Sequence, residues 1–341
     1  QVYNHSMEIP SREKNIIYYS RSNNNSGNRI PNKSKATFDP GMEYLNDKIF
    51  IYKYTQATKD FLISYDIFLN SFLFLTRYEE YLSEKNGKKI YSYIQRHPRK
   101  DKETFQIPIV NNLFDELEKL IKKLFPKLKF EKHTTPIIEL SHDLDYIKKT
   151  FPLRIKQSAF LLYKSLQSIS SPSRSFQFFS SSLSFIIKNS TYWYFDYWKE
   201  LEKKQETKST FYIYAFSKPR DFKNWLFDPS YDIQNNTKLK EKLKELANEG
   251  FEIGLHGSFK SANNLQLLNQ EKEILENAIG REVKKIRQHW LRFFELSTPA
   301  IHNHLFQFDS TLGWNDSIGF RGGCASLYRT YDHQNNKPFN Y

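Results

Sequence analysis

His142, Asp143 and Asp145 stand within four residues of one another, in the run Leu140-Ser141-His142-Asp143-Leu144-Asp145-Tyr146. These side-chain types ligate metals and move protons. Asp143 and Asp145 are two apart, so on extended chain their carboxylates leave the same side. Two acids converging beside a histidine make either a metal corner or an acid/base pair. The run follows Pro136-Ile137-Ile138-Glu139-Leu140. That stretch is apolar and of strand length, and reads as a buried strand delivering polar groups at its C-terminal tip. Open and barrel α/β folds both carry their chemistry at that end.

The same pattern returns later in the chain. His256 follows the apolar run 251–255, Arg287 and His289 follow 283–286, and Asp309 follows 305–308. Helical repeats lie between these runs. Leu239, Leu243 and Leu246 share one face of a helix capped by Thr237 and ended by Gly250, and a second helix over 268–278 ends at Gly280. Residues 194–204 read as a helix and 209–216 as a strand. Such alternation argues for parallel strands joined by helical crossovers, and so for an α/β fold. Parallel strands bring their C-terminal ends towards one place, which makes these residues one candidate site. The segment 151–190 interrupts the alternation. Its serine-rich part, 165–184, carries Phe176, Phe178 and Phe179, and reads as helix, mobile loop and helix inserted beside the site. His302 and His304 are two apart on a helix, face different ways, and read as surface residues.

Composition narrows the class. The chain has 341 residues, enough for two domains, with 39% hydrophobic and 16% aromatic residues, which excludes a disordered chain. No run approaches the ~20 apolar residues of a transmembrane segment. The net charge is +13, with lysines spread along helix-like segments and no nucleic-acid signature. That reads as a solvated basic surface, without nucleic acid as partner. Cys324 is the single cysteine, which excludes an intrachain disulfide and a Cys-based zinc site and fits a reducing, cytoplasmic compartment. A start at Gln1 and a polar, turn-like end lead us to expect that both ends are cut, with any targeting signal lost from the first.

Residues 1–130 contain no cluster of acids with histidines and read as an accessory domain of unknown role. A helix is expected over 66–82, capped by Asp66, with Phe68, Phe72, Leu75 and Tyr78 at helical spacing and Arg77 and Glu80 as surface ions. A second helix, 113–124, stops at Pro126. Residues 127–133 read as the linker to a domain covering 135–341.

The order of these motifs resembles the polysaccharide deacetylase (NodB-homology, carbohydrate esterase 4-like) superfamily over residues 135–335. In particular it resembles a branch that carries an uncharacterised N-terminal domain. The matching stretches are 66–82, Ser141-His142-Asp143-Leu144-Asp145, 252–256, 287–293, 309–314 and Gly319-Phe320-Arg321. The resemblance implies a distorted (β/α) barrel of fewer than eight strands, preceded by a smaller α/β domain. It also implies a divalent metal, zinc, and a hydrolase acting on the amide bond of an acetylated glycan, with surface polysaccharide or lipopolysaccharide sugars as substrate. Asp143 matches the general base, Asp145 and His256 match metal ligands, Arg287 matches the arginine that orients the base, and Asp309 matches the acid of a fourth motif. Lys260 stands where the family has its second metal histidine, and an ammonium has no lone pair to give. His289 is the candidate replacement, with His142 and Ser258 as alternatives. The family's Leu-x-His motif is not found. Trp290, Trp314 and Tyr146 are candidates to stack on sugar rings, and Arg321 is a candidate either to meet an anionic sugar group or to pair with Asp316. The alternative function is a catalytically inactive, glycan-binding relative.

Overall fold

Residues 17–20, 29–33, 42–46, 48–52, 56, 61–130, 137–215 and 221–341 are described by the computed structural model. The chain divides into two compact units. One comprises residues 1–135, 294–300 and 312–340; the other comprises 136–293, 301–311 and 341. Two segments beyond residue 290 thus belong to the first unit, where a linear reading runs the second domain unbroken from 135 to 341.

In the first unit Tyr18–Ser20 (β1) pairs in parallel with Arg29–Pro31 (β2), and Met42–Asn46 (β3) pairs antiparallel with Ile49–Tyr52 (β4). Asp66 caps Ile67–Leu75 (α1), its carboxylate accepting from the Leu69 N–H at 2.9 Å. The helix does not continue to residue 82. Arg77 takes a left-handed φ of 48°, and the chain restarts as Tyr78–Lys85 (α2). Ile109–Leu124 (α3) ends before Pro126, and its Ile109, Val110 and Leu113 join Ile49, Ile51 and Phe74 in the core.

Arg77 and Glu80 are buried, not surface ions as the sequence led us to expect. The physical reason is complete pairing. Arg77 donates to both oxygens of Glu295, Arg99 to Glu79, and Arg321 to both oxygens of Glu80 and to Ser92 Oγ. Buried guanidinium–carboxylate pairs offset much of their desolvation cost through such fork-like geometry. Leaving one partner alone costs about 3–5 kcal/mol. Arg321→Ala is therefore expected to lower the stability of the chain by that amount in denaturant titrations. The same cluster includes Glu84, which accepts from the Leu296 N–H at 3.2 Å. Burial and the nearby Glu295 push its carboxyl up to about 7 from an ordinary 4.5. The folded state thus holds this proton more tightly than the unfolded state does. Stability falls as pH rises from the unfolded value through the folded one. Glu84→Gln should leave the melting temperature unchanged at pH 4, and raise it at pH 8 by the equivalent of roughly 1–2 kcal/mol once partial exposure is allowed for.

The second unit is built on five parallel strands: Ser141–Leu144 (β5), Thr210–Ile213 (β6), Glu252–Gly257 (β7), Lys285–Gln288 (β8) and Phe308–Asp309 (β9). They lie side by side in chain order. The helices between them are Phe151–Gln167 (α4), Pro172–Ile187 (α5), Phe195–Lys204 (α6), Phe222–Phe227 (α7), Thr237–Asn248 (α8), Leu265–Ile279 (α9) and Thr298–Leu305 (α10). All four residues of β6 are buried, as a strand covered on both faces requires. Leu239, Leu243 and Leu246 of α8 and Leu268 and Leu275 of α9 pack against β6, β7 and β8. Asn236, not Thr237, caps α8, accepting from the Leu239 N–H at 3.0 Å.

The sheet is strongly curved. Strands three apart in a flat sheet sit about 14 Å from one another. Here Arg287 of β8 reaches Ser141 Oγ on β5 at 2.9 Å, and Ser310, next to β9, donates to Tyr212 of β6 at 2.7 Å. The pairings among the described residues leave β5 and β9 as the two edges of a parallel five-stranded sheet; this is the α/β fold expected from sequence, without the closure of a barrel among the described residues. The strand expected at 136–140 begins later. Ile137 and Ile138 are exposed, and the ladder with β6 starts at Ser141 opposite Thr210. The acid-bearing run is itself the strand. Pro136 and Phe216 lie outside the described residues.

Candidate metal centre

Asp145, His256 and His289 each offer one ligand atom, and the three atoms lie within 4.8 Å of one another. Asp145 is placed by the end of β5, His256 by β7 and His289 by the turn after β8. Asp145 Oδ1 is 3.4 Å from His256 Nε2 and 3.5 Å from His289 Nε2. It is buried and takes no hydrogen bond.

The opposite nitrogens fix the ring tautomers. His256 Nδ1 is 2.9 Å from the Arg287 carbonyl oxygen, which only accepts, so Nδ1 carries the hydrogen. His289 Nδ1 is 3.2 Å from Asp228 Oδ1, which imposes the same tautomer. Both Nε2 lone pairs are then turned to one carboxylate oxygen. Imidazoles oriented through Nδ1 by a carbonyl and a carboxylate are the usual support of metal-bound histidines. Burial pushes the Asp145 carboxyl up, but His256 and His289 outweigh it and hold it below its ordinary value. Burial likewise disfavours the His256 imidazolium, and the carboxylates of Asp145 and Asp143 more than reverse that. A cation held between the two Nε2 atoms and the Asp145 oxygen would satisfy all three groups. Two imidazole nitrogens and one carboxylate oxygen form a donor set that fits zinc with an open position.

Asp143 leaves the same strand two residues earlier. Its carboxylate accepts from Arg287 Nη1 at 2.8 Å, and about a third of the side chain is exposed. Arg287 also donates to Ser310 Oγ at 3.1 Å, and its guanidinium lies over the Tyr212 ring. Trp290 follows His289 at a φ of 58°. It donates from Nε1 to the Phe227 carbonyl and keeps its ring partly exposed.

Other residues singled out by sequence fall elsewhere. His142 points to the opposite face of β5, as the period of two requires, and binds Glu202 at 2.7 Å. Ser258 is buried, and its backbone N–H donates to Glu271. Lys260 pairs with Asp221. Asp309 does not join the cluster. Its carboxylate is taken by His302 Nδ1 at 2.8 Å and the Thr311 N–H at 2.7 Å. His302 is completely buried, against the surface role expected of it, because Asp309 on one side and Gln288 on the other occupy both ring nitrogens. His304 is exposed. Arg321 is not a substrate-facing arginine, since its guanidinium is buried on Glu80 in the first unit, and Asp316 instead accepts from the Ile94 N–H. Trp314 packs with Phe105 in that unit.

Asp228 is the residue that sequence reasoning missed. It sits one residue beyond α7, is buried, and accepts from the Phe259 N–H at 2.7 Å as well as holding His289. Its only sequence signal is an acid directly before Pro229, which reads as an ordinary turn.

The fold and cluster define an α/β unit with a curved parallel sheet and three residues able to hold a metal ion. A family model described as a family of unknown function, DUF7033, matches residues 1–126. No curated protein matches the chain. Among solved structures, the chain is similar to the crystal structure of a BA3943 mutant, a CE4 family pseudoenzyme with restored enzymatic activity. The identity is 16% and the TM-score 0.25, over 34% of this chain and 39% of that one, so this chain spans well under half of that neighbour's length.

Zinc titration by calorimetry should find one site per chain. His256→Ala and His289→Ala should abolish it, and Asp228→Asn should weaken it by about 10–100-fold through loss of ring orientation.

Proposed function

We propose that the second unit is a metal-dependent hydrolase that removes N-acetyl groups from a sugar or polysaccharide. The observation that carries this reading is the convergence of two Nε2 lone pairs and the Asp145 carboxylate beside the partly exposed Asp143–Arg287 pair. Asp145, His256 and His289 would hold a divalent ion, zinc by donor type, which when bound polarises an acyl carbonyl and lowers the pKa of water.

Asp143 is the base. Arg287 fixes the direction of its carboxylate through the 2.8 Å hydrogen bond, so that the carboxylate's other oxygen takes a proton from the attacking water. Oxygen bonds to the carbonyl carbon, the C–N bond breaks, and the proton held by Asp143 passes to the departing nitrogen. Acetate and a free amine result. Tyr212 backs the guanidinium of Arg287, and Ser141 and Ser310 satisfy its other donors, so the arginine has little freedom to turn away. Trp290, next to His289 with its ring partly exposed, offers an aromatic face for a sugar ring. The glycan class rests on the motif resemblance. Asp309 is a positioning residue in this reading, holding His302 against Gln288, the neighbour of His289.

A second reading, an inactive glycan-binding protein, is favoured by one observation. Lys260 stands where a further ligand is expected and is turned to Asp221. Acetate release from N-acetylated oligosaccharides by the zinc-loaded chain separates the two. The hydrolase reading expects turnover, with Asp143→Asn lowering kcat by about 10²–10⁴ while zinc binding is kept. Glycan retention and zinc binding without any acetate release would overturn it.

A further inference from the structure

The α4–α5 hairpin is folded inside out. Its two helices are joined by residues 168–171 and run antiparallel, since Ser158 faces Ser182 and Ser165 faces Ser175. The serine-rich segment expected to be a mobile loop is helical for this reason. Each serine lies seven residues, or two turns, from its fellow on the same helix, so all four share one seam. Ser158 Oγ donates to the Ser182 carbonyl at 3.0 Å and Ser182 Oγ to the Ser158 carbonyl at 2.9 Å; Ser165 and Ser175 repeat the exchange at 2.8 Å each way. Leu153 is buried, but most of the hairpin's large apolar side chains are left on the outside. Phe151 is 72% exposed, Ile169 72%, Phe176 71% and Ile187 77%. A helix pair built for water buries such residues in its own seam. Small, hydrogen-bonded seams with apolar exteriors belong to helices in lipid.

Charge identifies the occupant. Between Asp145 and Asp196 the chain holds seven lysines and arginines and no acid. Lys149 lies over the Phe185 ring at 3.9 Å and Lys164 over Phe160 at 5.1 Å, so the cations sit among the apolar groups with stems able to snorkel. Apolar side chains mixed with cations and free of acids complement an anionic bilayer surface. A second copy of a chain carrying +13 would bring the same charge against it. Among the described residues no helix is long and apolar enough to cross a membrane, and α4 and α5 are 17 and 16 residues. We propose that the α4–α5 hairpin lies in the interface of an anionic lipid membrane and holds the chain there.

Phe222 and Trp225 of α7 extend the exposed apolar surface, and Lys156 of α4 donates to the Trp225 and Asp228 carbonyls, fastening the hairpin to α7. The proposal stands apart from the metal chemistry and needs none of its residues. It is tested by sedimenting the purified chain with vesicles of phosphatidylcholine, with and without phosphatidylglycerol. Partition onto the anionic vesicles should be at least roughly tenfold stronger and should weaken with salt. Phe176→Ser with Ile187→Ser should reduce it by roughly tenfold or more, and so should Lys164→Gln with Arg174→Gln, all at unchanged melting temperature because these side chains are exposed. Three results would overturn the proposal: no partition onto either vesicle, partition indifferent to both double variants, or a concentration-dependent dimer that Phe176→Ser with Ile187→Ser dissolves.

Discussion

One guanidinium holds the second unit's candidate centre in order. Arg287 stands on β8, the fourth strand, and its donors reach Asp143 and Ser141 on the first strand and Ser310 beside the last. Its own carbonyl accepts from His256 Nδ1 on the neighbouring strand. One residue therefore ties the two edges of the curled sheet together, directs the Asp143 carboxylate and holds the ring of His256, one of the three residues able to hold a metal ion. Each bond alone is a modest contribution, about 1.5–3 kcal/mol for one to a charged group. Their common origin makes the geometry cooperative, since no one of them can relax without disturbing the others.

The cluster shows a second constraint, in which burial and charge oppose each other. Asp145 carries a buried oxygen that accepts no hydrogen bond, and two imidazoles face it from 3.4 and 3.5 Å. Burying a carboxylate oxygen without a donor is costly unless a positive charge answers it. The protein meets that cost only partly with its own histidines, because their Nδ1 hydrogens are committed to the Arg287 carbonyl and to Asp228. What the fold leaves over is one acid oxygen and two nitrogen lone pairs directed at the same small volume, an arrangement whose natural complement is a divalent cation.

Much of this was legible in the sequence where the signal is local. Apolar runs before His256 and Arg287 mark strand tips, and parallel strands bring tips together, so Asp145, His256 and His289 could be named before their geometry was seen, even though the apolar run before Asp145 is not itself its strand. Gly280 at a φ of 72° ends α9 where a glycine after the apolar repeat says it should. Legibility failed wherever burial depends on a distant partner. Arg77 and Glu80 look like surface ions, and Arg321 like a partner for a sugar or for Asp316, until each meets its counter-charge, from 218 and 241 residues away for the Arg77–Glu295 and Arg321–Glu80 pairs. His302 looks like a surface histidine until Asp309 and Gln288 close on both sides of its ring. Asp228 lies in a turn, where an acid is unremarkable. The serines of α4 and α5 carry low helix propensity and read as loop, because nothing local says that a second helix will accept their hydroxyls.

The buried arginine pairs and the serine seam show polar interiors reached by opposite routes. In the first unit the buried groups are full charges, and the pairing of Arg77, Arg99 and Arg321 must be nearly complete, since a lone buried charge costs several kcal/mol. In the α4–α5 seam the buried groups are neutral hydroxyls, short enough to let two backbones approach and able to bond the facing carbonyls without competing for a helical N–H. The first arrangement leaves the outside of its unit free to be polar. The second uses the seam for small polar groups and leaves Phe176, Ile187 and their neighbours no interior to occupy. An exterior of that kind is a consequence of how the hairpin closes: apolar side chains are displaced outward because the serines hold the inside. Replacing those outer residues with polar ones would leave the seam intact, which separates the surface of this element from its folding.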